Sequence, residues 1–292
     1  MRIDLHTHSR ASDGTQSPEE LVRAAVTVGL DVLAITDHDT SAGWAEAERT
    51  ARELGLELVR GMEISTKHHG RGVHLLAYLP DPTYPPLLTE LARVLDGRRS
   101  RVPVMLDRLR GMDIEITDED VRRASGGTAA TGRPHVADAL VALGRVTDRS
   151  EAFDRYLGAG RPAHVDRYAA PLVDTIRLVR EAGGVSVIAH PWGRSGRHWP
   201  GAAELAALKD EGLSGVEVDH QDHDTDSRRL LRSIARDLDL VVTGSSDHHG
   251  TGKIDHDLGV NTTSAADYER LLELAAAASA RSGRQTPQVV RP

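Results

Sequence analysis

Short apolar strands alternate with amphipathic helices at both ends of the chain, and this alternation restricts the fold more than any other feature of the sequence. An apolar run at residues 3–5 precedes Ser17-Pro18-Glu19-Glu20, a capping box with proline at the first helical position. A strand at 31–35, a helix at 41–54 and a strand at 56–59 follow. This regular succession predicts an α/β fold built on a parallel sheet or barrel.

The middle of the chain has a different pattern. From about residue 85 to 158 the sequence indicates helices with little strand signal, and the alternation resumes at about residue 171. We therefore predict a discontinuous barrel domain, residues 1–80 and 165–280, with a mostly helical subdomain inserted at 81–164. The polar segment 281–292 is predicted to be disordered.

Histidine, aspartate and glutamate residues follow the apolar runs of the predicted strands. Because the carboxyl ends of such strands meet at one edge of the sheet, we expect these side chains to converge. Their number exceeds the roughly four to six ligands that one ion takes, so two or three divalent ions are expected, with Glu63 able to bridge a pair. The candidate ligands are His6, His8, Asp13, His38, Glu63, His74, His190, Asp247 and His249.

The composition excludes several classes of protein. The chain has no cysteine, which rules out disulfides and thiolate sites, so any metal must have nitrogen and oxygen ligands. The net charge of −8 argues against a broad surface for duplex nucleic acid or for an anionic membrane. The strand pattern begins at Arg2 and no apolar run is long enough to span a bilayer, so we expect a cytoplasmic protein. The oligomeric state is left open.

The order and spacing of the polar motifs resemble those of a known family. His6-Thr-His8, Thr36-Asp-His38-Asp, Gly61-Met-Glu63, the isolated His74, Ala189-His190-Pro and Ser246-Asp247-His-His249 are similar to the successive motifs of the polymerase and histidinol phosphatase (PHP) superfamily. The resemblance extends from residue 1 to about residue 250. It implies a distorted seven-stranded (β/α) barrel with a trinuclear metal site at the C-terminal ends of the strands.

The resemblance also implies how the ions share their ligands. The first metal would be held by His6, His8, Glu63 and Asp247. The second would be held by Glu63, His74 and His190, and the third by Asp13, His38 and His249. Zinc, manganese and iron are all compatible with such ligands, and the sequence does not choose between them.

The helical insertion and the motif Arg133-Pro-His135 resemble the branch that includes nucleoside 3′,5′-bisphosphate phosphatases and 5′-to-3′ exoribonucleases. By that resemblance the insertion caps the active site, and Arg133 and His135 bind the substrate phosphate. A helix N-terminus flanked by arginine already suits an anion. The alternative is a plain helix start in which Pro134 is the first helical residue and His135 lies on the surface. Arg194 could be a second phosphate ligand, although an extra tryptophan before it shifts the spacing of the family motif.

The expected activity is hydrolysis of a phosphate ester. A hydroxide bridging two metals would attack phosphorus in line with the leaving oxygen, while the metals and Arg133 offset the phosphoryl charge. His135 or a metal-bound water could protonate the leaving alkoxide. We expect a small nucleotide substrate, most concretely a nucleoside 3′,5′-bisphosphate that loses its 3′-phosphate. The alternatives are a 5′-3′ exoribonuclease acting on short RNA and, from another class, a non-catalytic metal-stabilised scaffold.

Several other polar residues have two interpretations. His220, Asp222 and His223 could line a nucleoside pocket or lie in a solvated loop. The arginine-rich first helix of the insertion is expected to be a solvated face rather than a nucleic-acid patch. His248 could compete with His249 for a metal. The histidines expected on the surface are His68, His69, His164, His198 and His256.

Overall fold

Seven strands form one mixed sheet that curves into a nearly closed barrel, in a computed structural model that describes residues 1–193 and 199–291. The strands are β1 (Ile3–Asp4), β2 (Val32–Ile35), β3 (Glu57–His68), β4 (Arg71–Tyr78), β6 (Val185–Ala189), β7 (Gly215–Asp219) and β8 (Val241–Gly244). They are neighbours in that order, and the short strand β5 (Ala170–Pro171) pairs with β3 outside it.

The neighbouring strands are parallel except on either side of β4. A hairpin turn joins β3 to β4, which pair antiparallel from Gly61 opposite Tyr78 to His68 opposite Arg71. The barrel closes just beyond the strand ends, where the backbone N–H of His8 donates to the carbonyl of His248 at 2.9 Å. The predicted distorted seven-stranded barrel is confirmed.

Helices cover the barrel and form the insertion between β4 and β5. Within the described residues they span Pro18–Thr27 (α1), Trp44–Leu54 (α2), Pro85–Arg110 (α3), Asp118–Ser125 (α4), Arg133–Ala142 (α5), Arg149–Ala152 (α6), Leu172–Glu181 (α7), Ala202–Asp210 (α8), Thr225–Asp237 (α9) and Ala265–Ser282 (α10). A π-helical turn at Phe153–Leu157 continues α6. Among the described residues, none of these helices is both long enough and apolar enough to cross a lipid bilayer.

Local chemistry explains how α1 docks on β2. The hydroxyl of Ser17 accepts the N–H of Glu20, and the Glu20 carboxylate accepts the N–H of Ser17, so the predicted capping box is confirmed. Leu21 of α1 and Leu33 of β2 belong to one buried cluster, whereas Val32 belongs to a second cluster. Because successive strand residues face opposite sides, β2 is buried on both faces, as expected for an inner barrel strand.

The C-terminal segment differs from the prediction of disorder. Val290 is buried and exchanges backbone hydrogen bonds with Leu58 at 2.9 and 3.0 Å. The guanidinium of Arg60 also donates to the carbonyl of Gln288 at 2.8 Å. The prediction depended on the polar composition of the segment, but one apolar side chain and a free stretch of β3 backbone are enough to hold it.

Candidate metal centre

The predicted ligands meet at one end of the barrel. His6 and His8 follow β1, His38 follows β2, and Asp247 and His249 follow β8. The other four candidates are Glu63 within β3, His74 within β4, His190 directly after β6 and Asp13 in the loop after β1. All nine are buried or half-buried. The fold therefore brings every candidate ligand to this end of the barrel.

Two of these side chains are aimed by an unusual backbone conformation. His190 has φ of 29° and Asp247 has φ of 52°, in the left-handed region that residues other than glycine rarely adopt. Such a conformation costs about 1 to 3 kcal/mol and persists where the surrounding structure fixes it. At His190 the backbone N–H donates to Glu217 at 2.8 Å, which holds the turn in place.

His6, His8, Glu63 and Asp247 form the tightest group. Nε2 of His6 is 3.0 Å from Nε2 of His8, 3.3 Å from Oε2 of Glu63 and 3.5 Å from Oδ1 of Asp247. Nε2 of His8 is 3.2 Å from the same Glu63 oxygen and 3.4 Å from the same Asp247 oxygen. Ligand atoms bound to one ion at about 2.1 Å are about 3 to 3.5 Å apart, so these groups fit a single divalent ion.

The other carboxylate oxygen of Glu63 faces a different set of nitrogens. Oε1 is 2.7 Å from Nδ1 of His74 and 3.2 Å from Nε2 of His190. Despite this contact, Nδ1 of His74 is buried and has no hydrogen-bond partner among the described residues. A short distance without a hydrogen bond is what two ligand atoms show when both direct their lone pairs at a cation. Glu63 can therefore bridge two ions, one through each oxygen.

Asp13, His38 and His249 form the third predicted group, and His8 lies against it. The ligand atoms of these four residues all lie within 4.8 Å of one another. Nε2 of His249 is 3.3 Å from Asp13, and Nε2 of His38 is 3.7 Å from Asp13. Nδ1 of His38 is also 3.0 Å from Glu63. The three groups are therefore parts of one continuous cluster.

The carboxylates of the cluster are held in their ionised form. Burial alone would raise the pKa of Glu63, but the surrounding imidazoles, His74 foremost, hold it well below its usual range. The same balance lowers the pKa of Asp13, beside His38, and the pKa of Asp247, beside Lys253. Anionic oxygens in this position suit a cation.

The imidazoles of the cluster fall into two classes. Burial lowers the pKa of His74 to about 4 and that of His249 to about 3, so both are neutral and able to ligate a metal. Burial also acts against protonation of His6 and His8, but the carboxylates around them raise the pKa of both, that of His8 to about 9. In the metal-free protein these two rings therefore hold protons that a bound metal must displace.

Glu217 contacts two of the candidate ligands and is not among the residues predicted from the sequence. This buried carboxylate on β7 contacts Nδ1 of His6 at 3.2 Å, accepts the N–H of His190 at 2.8 Å and accepts the hydroxyl of Ser245. A carboxylate on Nδ1 keeps the proton there and leaves the Nε2 lone pair directed at the cluster. The signal in the sequence was an acidic residue inside the apolar strand Val216-Glu-Val218.

Two buried aspartates stiffen the loops that carry the ligands. Asp37 accepts the N–H of Ser9 at 2.8 Å and the hydroxyl of Ser12 at 2.6 Å. Asp39 accepts the Nε–H of Arg98 at 2.6 Å. Both acids follow β2, beside His38 in the sequence. The strand end thus supplies a candidate ligand together with the groups that fix the neighbouring loops.

The helical insertion holds the loop that carries Asp13. The hydroxyl of Thr128 donates to the carbonyl of residue 11 at 2.6 Å, Nε2 of His135 to that of residue 12 at 2.9 Å, and Arg149 to that of residue 13 at 2.9 Å. Three successive carbonyls are therefore fixed by three side chains of the insertion. Asp13 depends on the insertion for its position.

A cavity of about 400 Å³ opens onto the cluster. The insertion and its connection to β5 contribute cationic side chains to its wall, and so does the loop after β8. These are Arg98, Arg101, Arg133, Arg149, Arg167 and Lys253. Arg133 is part of this wall, and its role as a phosphate ligand stays a prediction.

His135 and Arg194 have different outcomes. Nδ1 of His135 accepts the N–H of Gly132 at 3.1 Å, so with its bond to the carbonyl of residue 12 both ring nitrogens contact backbone. The side chain is buried behind the loop and is not part of the cavity wall. Its role as a phosphate ligand or acid stays a prediction. Arg194 lies outside the described residues, as does His198.

Three other histidines near the barrel mouth, His220, His223 and His256, are buried. His220 is buried and its Nε2 is 3.2 Å from Asp247, while Nδ1 of His223 donates to the carbonyl of Val218 at 2.8 Å. Neither residue lies in a solvated loop or in the cavity wall. His256, predicted on the surface, is buried instead, because its ring bonds to the carbonyl of Ser246 at 2.7 Å.

The ring of His248 is hydrogen-bonded away from the cluster. Its Nδ1 bonds to the carbonyl of His256 at 2.8 Å and its Nε2 bonds to the side chain of Gln16 at 3.0 Å. Both ring nitrogens are therefore engaged away from the cluster, and His249 is the residue that contacts Asp13. The assignment of His249 as a metal ligand stays a prediction.

The prediction of a solvated arginine-rich helix is wrong for two residues of α3. Arg98 and Arg101 are 4% and 5% exposed. They occupy the positions of the apolar stripe that runs through Leu91, Val94 and Met105, all of them buried. The 3-and-4 spacing of that stripe was the signal that placed both arginines on the inner face.

Comparison with known proteins identifies the family. The family model described as "PHP domain" matches residues 4–100. A 5′-3′ exoribonuclease of Haemophilus influenzae is 37% identical over 250 residues, which cover 85% of this chain and 90% of that protein. The chain belongs to the PHP family. A second relative, a 3′,5′-nucleoside bisphosphate phosphatase of Chromobacterium violaceum, is 33% identical over 261 residues, which cover 88% of this chain and 90% of that protein.

A solved structure supports the same conclusion. A Bifidobacterium adolescentis protein assigned as a metal-dependent phosphoesterase superposes with a TM-score of 0.88 and 37% identity, over 93% of this chain and 96% of its own. The predicted membership of the PHP family and the predicted hydrolase class are confirmed. This PHP protein is a metal-dependent phosphoesterase.

Proposed function

We propose that this PHP protein removes the 3′-phosphate of a nucleoside 3′,5′-bisphosphate, using two or three divalent ions held by the nine clustered side chains. The observation that carries the proposal is the cavity itself. One wall offers metal ligands and the other offers arginines, within about 400 Å³. That volume suits a small molecule, since pockets for such ligands measure about 300 to 1,000 Å³.

The donor set fits the ions. Bound divalent ions would lower the pKa of a coordinated water towards neutrality and would offset charge on the phosphoryl oxygens. Glu63 would join two of the ions, and Glu217 would hold His6 with its Nε2 lone pair towards them. Manganese, zinc and iron all accept this mixture of nitrogen and oxygen ligands.

The residues around the cluster would bind and orient the substrate. Arg133 lines the cavity and would pair with phosphate oxygens, for which its planar guanidinium is suited. We assign His135 a positioning role, because it holds the carbonyl beside Asp13 with Nε2. Lys253, which is ion-paired to Asp247, neutralises part of the charge of that carboxylate.

A substrate panel tests the proposal. The manganese-loaded enzyme should release phosphate from a nucleoside 3′,5′-bisphosphate with a kcat/KM at least about tenfold higher than from p-nitrophenyl phosphate, leaving the 5′-monophosphate as product. Asp247→Asn should abolish this activity, and Asp219→Asn, on the neighbouring strand and paired with Arg232, should retain it. Equal rates on the aryl phosphate and the bisphosphate would overturn the proposal.

The second candidate is a 5′-3′ exoribonuclease, favoured by the 37% identity to the Haemophilus influenzae enzyme. The chemistry is shared, so the length of the substrate is what discriminates. A 5′-phosphorylated tetraribonucleotide added to the same panel would yield successive nucleoside 5′-monophosphates. If its kcat/KM exceeds that of the bisphosphate, the exoribonuclease assignment replaces the first.

A further inference from the structure

The tip of the β3–β4 hairpin carries two histidines that lie outside the metal cluster. The hairpin ends in a two-residue loop, His69-Gly70, because His68 pairs with Arg71 across the strands. Both histidines were predicted on the surface, and the side chain of His69 is 70% exposed, but that of His68 is only 13% exposed. Both side chains contact or approach Glu204, in the first turn of α8.

The conformation of the loop brings the two imidazoles to the same side. Successive residues of a strand point to opposite faces, so His69 would point away from His68 if the strand continued. Instead His69 has φ of 45° and Gly70 has φ of 78°, and positive values at both positions are those of a two-residue type I′ turn. The ring centroids of the two histidines are 4.1 Å apart. Asparagine or aspartate usually precedes glycine in such a turn, so the turn itself does not require a histidine here.

One carboxylate oxygen lies near both rings. Oε1 of Glu204 contacts Nε2 of His68 and is 3.6 Å from Nε2 of His69. One ligand atom from each of the three residues lies within 4.8 Å of the other two. Ligand atoms bound to one zinc ion at about 2.1 Å are about 3 to 3.5 Å apart, so a small rotation of the exposed His69 ring completes the geometry. The indole of Trp199 packs beside His68, with ring centroids 5.8 Å apart, and restricts its rotation.

An ordinary ion pair does not account for the second imidazole. One protonated ring is enough to neutralise Glu204, and two protonated rings with centroids 4.1 Å apart would repel each other. A divalent ion bound by both rings in their neutral form, and by the carboxylate, removes this repulsion. Two imidazoles and one carboxylate are also a ligand set with which zinc keeps a fourth position for water.

We infer that His68, His69 and Glu204 bind one zinc ion, which ties the tip of the hairpin to α8. His68 lies beyond Glu63 on β3, at a distance of about 16 Å along the strand from the rise per residue, so this ion is separate from the metal cluster. Imidazole nitrogen favours zinc, nickel and copper, whereas manganese binds such sites more weakly. The inference does not depend on the proposed substrate.

The test removes one ligand without disturbing the hairpin. His69→Asn introduces a residue that this turn favours, so the chelated variant should melt no lower than the chelated wild type. Zinc is titrated into chelated protein, and bound zinc is measured by equilibrium dialysis. One zinc ion per chain should bind the variant at least about tenfold more weakly than the wild type, because even the loss of a group that supports a metal ligand costs about 10- to 100-fold.

A matched control makes the same change elsewhere. His164 lies in the insertion, so His164→Asn should keep the wild-type zinc-binding curve. Zinc should raise the melting temperature of the wild type and of this control more than that of His69→Asn. Glu204→Gln, which keeps the volume and removes the charge, should behave like His69→Asn. Equal zinc binding and equal thermal shifts in the wild type and His69→Asn would overturn the inference and leave His68 and Glu204 as an ion pair.

Activity with manganese separates this site from the proposed function. Because His69 is not part of the metal cluster, His69→Asn should keep the wild-type rate of manganese-dependent phosphate release, and a reduced rate would contradict a separate site. If the difference in zinc binding is found and no bisphosphate is hydrolysed, the hairpin site stands and the proposed substrate fails. If bisphosphate is hydrolysed and both proteins bind zinc equally, the proposed function stands and the hairpin site fails.

Discussion

Replacing Glu217 with glutamine changes the group that orients a candidate metal ligand and leaves the ligand itself in place. In the wild type the carboxylate faces Nδ1 of His6 at 3.2 Å and also accepts the backbone N–H of His190 at 2.8 Å. An amide has one acceptor oxygen. If that oxygen keeps the bond to His190, the amide NH₂ faces His6 and favours the tautomer with its proton on Nε2. That nitrogen is the one directed at the cluster.

The expected effect is a loss of metal affinity by about 10- to 100-fold, which corresponds to about 1.4 to 2.8 kcal/mol. The fold should survive, since the new side chain has the same volume. Metal affinity is measured by competition with a chromophoric chelator, and activity is measured as a function of manganese concentration. The midpoint of that activity curve should shift to higher manganese, with the rate recovering at saturation.

Asp219→Asn is the matched control, because it makes the same chemical change on the same strand at a residue paired with Arg232. It should leave the metal affinity unchanged. If Glu217→Gln binds manganese within twofold of the wild type, the buried carboxylate does not orient His6. If its activity stays low at saturating metal, Glu217 acts on the reaction by another route.

Three further predictions follow from other parts of the molecule. Because the pKa of His8 is raised to about 9 in the metal-free protein, metal binding at pH 7.5 should release protons, and metal affinity should rise with pH up to about 9. Calorimetry in buffers of different ionisation enthalpy measures the proton release. Equal heats of metal binding in all buffers would contradict this prediction. His135→Ala, which removes the bond to the loop of Asp13, should lower metal affinity about tenfold and recover the wild-type rate at saturating metal. If His135 were a general acid, the variant would have a reduced kcat at every metal concentration. His164→Ala is the control. Val290→Asp should destabilise the protein by about 2 to 4 kcal/mol in urea unfolding, and no change would show that the tail is not bound to β3.

Both the barrel and the convergence of the candidate ligands could be predicted from the sequence. His6, His38 and His190 each follow an apolar run, and topology alone then brings strand ends together. The groups that support the ligands were harder to find. Glu217 is separated from His6 by 211 residues, and only the fold brings them into contact. Long-range polar contacts of this kind leave no periodic pattern in the chain.

Other polar residues were predicted to be exposed because of their residue type, although their positions in the fold bury them. Arg98 and Arg101 were assigned to solvent by their charge, although their spacing placed them on the buried face of α3. His256 was assigned to the surface because nothing local marks the carbonyl that its ring contacts. Arg98 and His256 are each explained by a hydrogen-bond partner elsewhere in the chain, Asp39 and the carbonyl of Ser246.

The convergence of nine side chains on a cluster of ions is the central claim, and anomalous diffraction tests it most directly. Crystals grown with manganese should be measured on both sides of the manganese absorption edge. The account predicts two or three anomalous peaks at the barrel mouth, one of them within about 2.3 Å of Nε2 of His6, Nε2 of His8 and an oxygen of Asp247. Crystals grown at saturating manganese that show no anomalous peak among these residues, or peaks only elsewhere on the protein, would contradict it.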